Sequence, residues 1–197
     1  MVKIYTRRGD DGTTGPLYGG RVAKHAPPIE ANGAVDEAQA ALGGARAEAG
    51  QVSELDDLLV GIERDLWVLM AEVATTQENR SKLVGGVTEV TAAMVAALED
   101  RIDDLTGRFA MPSEFVVPGE TRLAASLDVA RTVVRRAERL VAAAPPAPGS
   151  QVGPYLNRLS DLLWAAARWQ EGEQHLLARA GVAARRTRTP RREAPRS

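Results

Sequence analysis

Hydrophobic positions recur every three or four residues through most of the chain, and glycine- or proline-rich breaks divide them into five runs. The clearest run follows Ser53, a residue suited to capping a helix. Leu55, Leu58, Leu59, Ile62, Leu66, Leu69 and Val73 share one face there, until "SKLVGG" interrupts the pattern. An alanine-rich run at about 29–49 precedes it, after Pro27 and Pro28. A third helix is expected from about Thr88 to Thr106, with Met94, Leu98, Ile102 and Leu105 in register. "MPSEFVVPGE" reads as an extended link, and helices at about 120–143 and 152–179 complete the set. No strand run stands out. Five helices joined by short connections predict an all-α, up-and-down five-helix bundle.

The first 26 residues do not fit this pattern. Five glycines crowd positions 9–20, so this stretch is expected to be an irregular loop, neither helix nor regular strand. At the other end, "RRTRTPRREAPRS" has no apolar anchor. Residues 1–184 therefore read as one domain, and 185–197 as a disordered arginine-rich tail.

Composition narrows the chemistry. A chain of 197 residues, 44% hydrophobic but only 4% aromatic, suits one domain of closely packed helices. The net charge of −1 argues against a nucleic-acid binder, although the tail alone carries six arginines against Glu193. There is no cysteine, which excludes disulfides, thiolate catalysis and cysteine-held metals. His25 and His175 lack ligand spacing and are expected to be surface residues; no protein-held metal site is predicted. No run is long and apolar enough to span a membrane, and "MVKIYTRRGDD" lacks the apolar core of a signal peptide. A soluble, cytoplasmic protein is expected.

The fourth helix poses the functional question, because "ARTVVRRAERL" places four arginines where packing needs none. Leu127, Ala130, Val134, Ala137 and Val141 form its apolar stripe. Arg131, Arg135 and Glu138 border that stripe, whereas Arg136 points away. The fifth helix sets Leu156, Leu159, Leu163, Ala166 and Ala167 beside a polar strip of Asn157, Ser160, Asp161, Trp164 and Arg168. Two polar strips flanking packed stripes suggest a pocket between helices. "GDDGTTG" offers the free backbone N–H groups and hydroxyls that wrap phosphates, yet it is not a Walker A loop. Together they point to a polyphosphate site, the alternative being ion pairs on solvated faces.

"KIYTRRGDDGTTGPLYGGRVAK", "GAVDEAQAALG", "FVVPG", "ARTVVRRAERLV" and "YLNRLSDLLWAAAR", in that order from residue 3 to about 169, resemble the PduO-type ATP:cob(I)alamin adenosyltransferases. The resemblance implies a five-helix bundle assembled as a homotrimer, with ATP between subunits. It implies transfer of the 5′-deoxyadenosyl group of ATP to the cobalt of cobalamin, with Mg²⁺ present and triphosphate released. By the same resemblance, Thr6, Arg7, Arg8, Gly9, Asp10, Gly12, Thr13, Thr14 and Lys24 would bind ATP, with Arg135, Glu138 and Asn157. Arg131 would be catalytic and paired with Asp36. Phe115 would crowd the lower axial face of the corrin, and Ser160 and Asp161 would support the site.

This sequence departs from the family at Arg8, where many relatives have threonine, at Asp11, where many have lysine, and at Glu120, where a second glycine is usual. An aromatic often found before the glycine of "ANGAVDEAQA" is also lacking. From the residues alone, Phe115 could equally plug the core, and Trp164 and Trp169 read as packing residues. A cob(II)alamin reductase and an adenosylcobalamin-dependent enzyme are the implied partners. Two other readings stay open: a bundle that only senses or delivers its ligand, and nucleic-acid binding through the tail.

Overall fold

The computed structural model describes residues 4–51, 53–172 and 175–179. The 185–197 tail, and the boundary drawn at 184, lie outside them. Five helices dominate: α1 (Pro27–Ala49), α2 (Glu54–Val73), α3 (Ala92–Thr106), α4 (Arg122–Ala143) and α5 (Val152–Glu171). A short 3-10 turn covers Gln77–Lys82.

Local chemistry sets the helix starts. Prolines occupy the first turn of α1, where their missing N–H costs nothing. Ser53, Thr91 and Thr121 each accept a backbone N–H three residues on, at 3.0, 3.3 and 3.0 Å, and so cap α2, α3 and α4. Glu54, Asp56 and Asp57 place negative charge against the positive end of α2.

The packing order is not the chain order. α4 lies between α1 and α5, with α2 on the outer side of α1 and α3 packed chiefly on α5. Small side chains make this possible: Ala31, Ala34, Ala38 and Ala45 of α1 and Ala130 and Ala137 of α4 are all buried. The expected stripe of α4 is buried throughout, as are Leu55, Leu59, Ile62, Leu66, Leu69 and Val73 of α2.

Several boundaries differ from the sequence expectation. α3 begins at Ala92 and not at Thr88. Residues 84–89 form a turn in which the Thr88 hydroxyl accepts the Val84 N–H at 2.9 Å, and Val90 is buried beneath it. α5 stops at Glu171 instead of 179, because Gly172 takes a left-handed φ of 72° that ends the helix. The glycine-rich loop does contain a minimal ladder: β1 (Thr13–Thr14) pairs antiparallel with β2 (Val22–Ala23).

One buried carboxylate ties the end of the bundle together. Glu72, fully buried on α2, accepts from Arg80 at 2.9 Å, from the Val90 N–H at 2.7 Å and from the Ser150 hydroxyl at 2.6 Å. Two connecting segments, α2–α3 through Arg80 and Val90 and α4–α5 through Ser150, converge on this one side chain, and its charge is matched by Arg80.

Candidate active site

The arginine helix carries the site's first charges. Arg131 donates through Nε to Asp128 Oδ1 at 3.0 Å, one helical turn back. The other oxygen of Asp128 accepts from Arg168 of α5 at 2.6 Å. Arg168 is only 2% exposed; it also bonds Glu171 at 3.0 Å, and its guanidinium lies 5.7 Å from the centre of the Trp164 ring. Glu171 in turn sits 3.0 Å from His175 Nδ1. Arg131, Asp128, Arg168, Glu171 and His175 thus form a chain of alternating ionisable groups. A buried arginine held between two carboxylates avoids the large cost of an unpaired buried charge.

Three members of this chain, Arg131, Asp128 and Arg168, line an open cleft of about 650 Å³. Asp128 and Arg131 contribute from α4, Trp164 and Arg168 from α5, and Pro112, Phe115, Val116 and Pro118 from the link between α3 and α4. Phe115 is 89% exposed at the cleft, which rules out the core-plug alternative. Trp164 packs partly against the core, as expected, but also lines the cleft.

The Asp36–Arg131 pair is not formed within this chain. Asp36 is exposed on α1, and the carboxylate on Arg131 is Asp128. His175 is likewise not the surface residue expected; its side chain is 6% exposed, with the ring edge-on to Phe109.

Farther along the same helices, Asn157 donates to Glu138 at 2.9 Å, linking α5 to α4. Arg158 steadies Asn157 from one side at 2.7 Å and reaches Glu99 at 2.9 Å. Ser160, buried, donates to the Asn157 carbonyl at 2.9 Å, and exposed Asp161 lies 3.4 Å from Arg158. Ser160 therefore supports Asn157 directly. Arg136 pairs with Glu37 of α1, whereas Arg135 and Arg139 are exposed and lack an ion-pair partner among the described residues.

The loop is built from its own backbone. The Asp10 and Gly12 N–H groups bond back to Arg7 and Gly9, and the Lys24 N–H bonds the Gly12 carbonyl at 2.9 Å. The Lys24 ammonium lies across Gly9, where a Cβ would come within 3.2 Å of it. The Thr6 hydroxyl accepts the Arg8 N–H at 3.4 Å. Arg7 has a left-handed φ of 61°, a strain of about 1–3 kcal/mol for a non-glycine residue. Asp11, the departure from the family's lysine, accepts the Thr13 N–H at 2.9 Å and the Thr13 hydroxyl at 2.7 Å, and pairs with Arg21 at 3.2 Å. The Thr13 bonds, and then Arg21, hold its carboxyl below the usual range. The negative charge of Asp11 is thus offset by Arg21.

The structure does not join the loop to the arginines. Leu17 and Tyr18 fix the loop to Ala74 and Lys82, and Pro16 and Val22 share a pocket of about 180 Å³ with Ala144–Pro146 just beyond α4. Arg131 lies roughly 20 Å back along that helix. Among the described residues no hydrogen bond or ion pair links residues 6–14 to Arg131, Arg135, Glu138 or Asn157.

Sequence reading missed Asp128, Glu171 and Arg21, and the pairing of Arg168. Asp128 had a local signal, its place one turn before Arg131. Arg168 was assigned to the polar strip, but periodicity could not reveal that two carboxylates bury it.

Known proteins carry the same chain pattern. A family model described as cobalamin adenosyltransferase matches residues 4–170. The corrinoid adenosyltransferase of Citrobacter freundii is 38% identical over 173 residues, 87% of this chain and 96% of that protein. That of Mycobacterium bovis is 39% identical over 185 residues, 92% of this chain and 95% of its own length. In a solved structure, a phenylalanine-to-alanine variant of the PduO-type ATP:corrinoid adenosyltransferase from Lactobacillus reuteri is complexed with cobalamin and ATP. It matches with a TM-score of 0.80 at 29% identity, covering 90% of this chain and 100% of that one. The chain is a member of the cobalamin adenosyltransferase family.

Proposed function

We propose that this protein transfers the 5′-deoxyadenosyl group of ATP to the cobalt of cob(I)alamin, yielding adenosylcobalamin and triphosphate. The observation that carries this reading is an apolar ring, Phe115, presented at a cleft whose floor holds Arg131. Cobalt(I) is strongly nucleophilic, so the protein need not supply a base. The cobalt electron pair attacks the 5′ carbon, the bond from that carbon to oxygen breaks, and its electrons leave on triphosphate. What the chain must supply is position and positive charge. Arg131 and Arg135 stabilise the leaving group, and Asp128 holds the Arg131 fork in place. Asn157 is pre-set by Glu138 and Ser160 to orient the nucleotide. Phe115 occupies the lower axial side of the corrin, excluding ligand and water and easing reduction to cobalt(I).

The loop and the arginine helix are read as halves of an ATP site completed between copies of the chain, in a homotrimer. In support, α1 presents Asp36 exposed on its outer face. Arg131 uses only its Nε on Asp128, which leaves its outer nitrogens for Asp36 of a neighbouring copy. The loop then brings Thr6, Arg7, Arg8, Gly9, Asp10, Gly12, Thr13, Thr14 and Lys24 to the phosphates. Among the described residues no cluster of three or more ligand side chains could hold a metal. Mg²⁺ would travel on the triphosphate, with exposed Asp10 the carboxylate beside it; the ion would neutralise leaving-group charge. No helix among the described residues is long and apolar enough to cross a membrane. The reaction calls for a cob(II)alamin reductase to supply cobalt(I) and an enzyme that uses the product, and we place all three in the cytoplasm.

The deciding experiment supplies ATP, Mg²⁺ and chemically reduced cobalamin and follows formation of the cobalt–carbon bond. Adenosylcobalamin and triphosphate in equal amounts are expected. Tight binding of both substrates without product would instead favour a sensing or delivery role.

A further inference from the structure

Phe115 does not hold its own position. Its side chain is 89% exposed, and the link that carries it, between Pro112 and Pro118, is irregular. Its backbone is fixed from the far end of the chain. The Val117 N–H donates to the Leu176 carbonyl at 2.7 Å, and the Ala178 N–H donates to the Phe115 carbonyl at 2.8 Å, an antiparallel bridge centred on Val116 and Leu177. Residues 175–179 therefore act as a strap against the Phe115 segment, and the ring stands where the strap puts it.

The strap needs an anchor of its own, since Gly172 has already turned the chain out of α5. His175 is the side chain placed to serve. Its Nδ1 lies 3.0 Å from Glu171 Oε2, which can only accept, so Nδ1 carries the proton. Its ring stands edge-on to Phe109 at 6.2 Å, and Phe109 in turn packs 6.4 Å from Trp164. Glu171 is itself held by Arg168, which bonds Asp128, which bonds Arg131. One continuous chain of contacts thus runs from the arginine at the leaving group to the strap behind Phe115.

We propose that His175 is a positioning residue for the reaction: it clips the 175–179 strap to Glu171, and through the strap sets Phe115 at the lower face of the corrin. This rests on the adenosyl-transfer reading, so the test has one arm that depends on cobalamin and one that does not. The first uses the full chain with ATP and cob(II)alamin and measures, by absorption and electron paramagnetic resonance, the fraction of cobalt(II) that has lost its lower ligand. His175→Ala is expected to cut that fraction about fivefold or more, while transfer from chemically prepared cob(I)alamin and ATP affinity change less than about threefold. His175→Asn, whose amide N–H can occupy the place of Nδ1–H, should recover most of it. The second arm follows hydrogen exchange at the Val117 and Ala178 amides without substrates, where His175→Ala should speed exchange about tenfold and His175→Asn should not. Unchanged exchange at these amides overturns the proposal. So does equal loss in the cobalt(I) and cobalt(II) assays with a lowered Tm, which would make His175 a packing residue. If wild-type protein fails to release the lower ligand yet the exchange result holds, the clip stands and the role given to Phe115 falls.

Discussion

Glu72 and Asp128 are both buried carboxylates on core helices, yet their surroundings differ in kind. Glu72 faces inward and collects three donors from two connecting segments, one arginine and two neutral groups. Its work is finished inside the fold. Asp128 stands between two arginines, and one of them, Arg131, continues into an open cleft. The first arrangement closes a structure; the second holds a positive charge at a place where a ligand can use it. Burial and pairing alone do not separate a structural carboxylate from a functional one. What the partner does next separates them.

That contrast can be broken by mutation. Glu72→Ala leaves partly buried Arg80 without its carboxylate and should cost about 3 kcal/mol of stability, read from denaturant unfolding, with transfer per folded molecule preserved. Arg131→Ala should do the opposite, lowering transfer by roughly a hundred- to a thousandfold with the helical content and unfolding midpoint nearly unchanged. Asp128→Asn should fall between. It leaves Arg168 its Glu171 partner but loosens the Arg131 fork, so about a tenfold loss of transfer is expected with a modest loss of stability. An Asp128→Asn protein as unstable as Glu72→Ala, with normal transfer, would erase the distinction.

A third carboxylate gives the smallest effect. Asp65 accepts from the Tyr155 hydroxyl at 2.9 Å, yet partial burial, outweighing that bond, pushes its carboxyl above the usual range. The folded protein then keeps this proton to higher pH than the unfolded chain, so Asp65 lowers stability as pH rises from the unfolded value toward the folded one. Asp65→Asn should therefore be neutral or slightly stabilising near pH 7, and the advantage should vanish below the ordinary carboxylate pKa. Unfolding curves at several pH values check this. A mutant clearly less stable at neutral pH would mean that the bond to Tyr155 outweighs burial.

Much of the bundle could be read from local pattern, because side-chain period and capping residues are written within a few positions of each other. The stripes of α2 and α4, and the cap at Ser53, are of this kind. The site's arginines were legible for the same reason: Arg131 and Arg135 stand beside an apolar stripe that needs neither. The strap was not legible, since Leu177 finds Val116 across some sixty residues and two hydrogen bonds that no local signal announces. Nor was the contact of Arg131 with Asp128, one turn back on the same helix, which the family resemblance, pointing to Asp36, did not announce. His175 was misjudged because an isolated histidine looks alike whether a strap buries it or solvent surrounds it.

The central claim, catalysis at cobalt with Phe115 acting on the lower face, is tested most directly by comparing Phe115→Ala with wild type in two assays. One supplies cobalamin already reduced to cobalt(I); the other supplies cobalt(II) and a biological reductant. Because Phe115 is exposed, its truncation should move the unfolding free energy by less than about 0.5 kcal/mol. Transfer should fall sharply in the cobalt(II) assay and far less in the cobalt(I) assay, with ATP affinity unchanged. Equal rates for Phe115→Ala and wild type in the cobalt(II) assay would contradict the account.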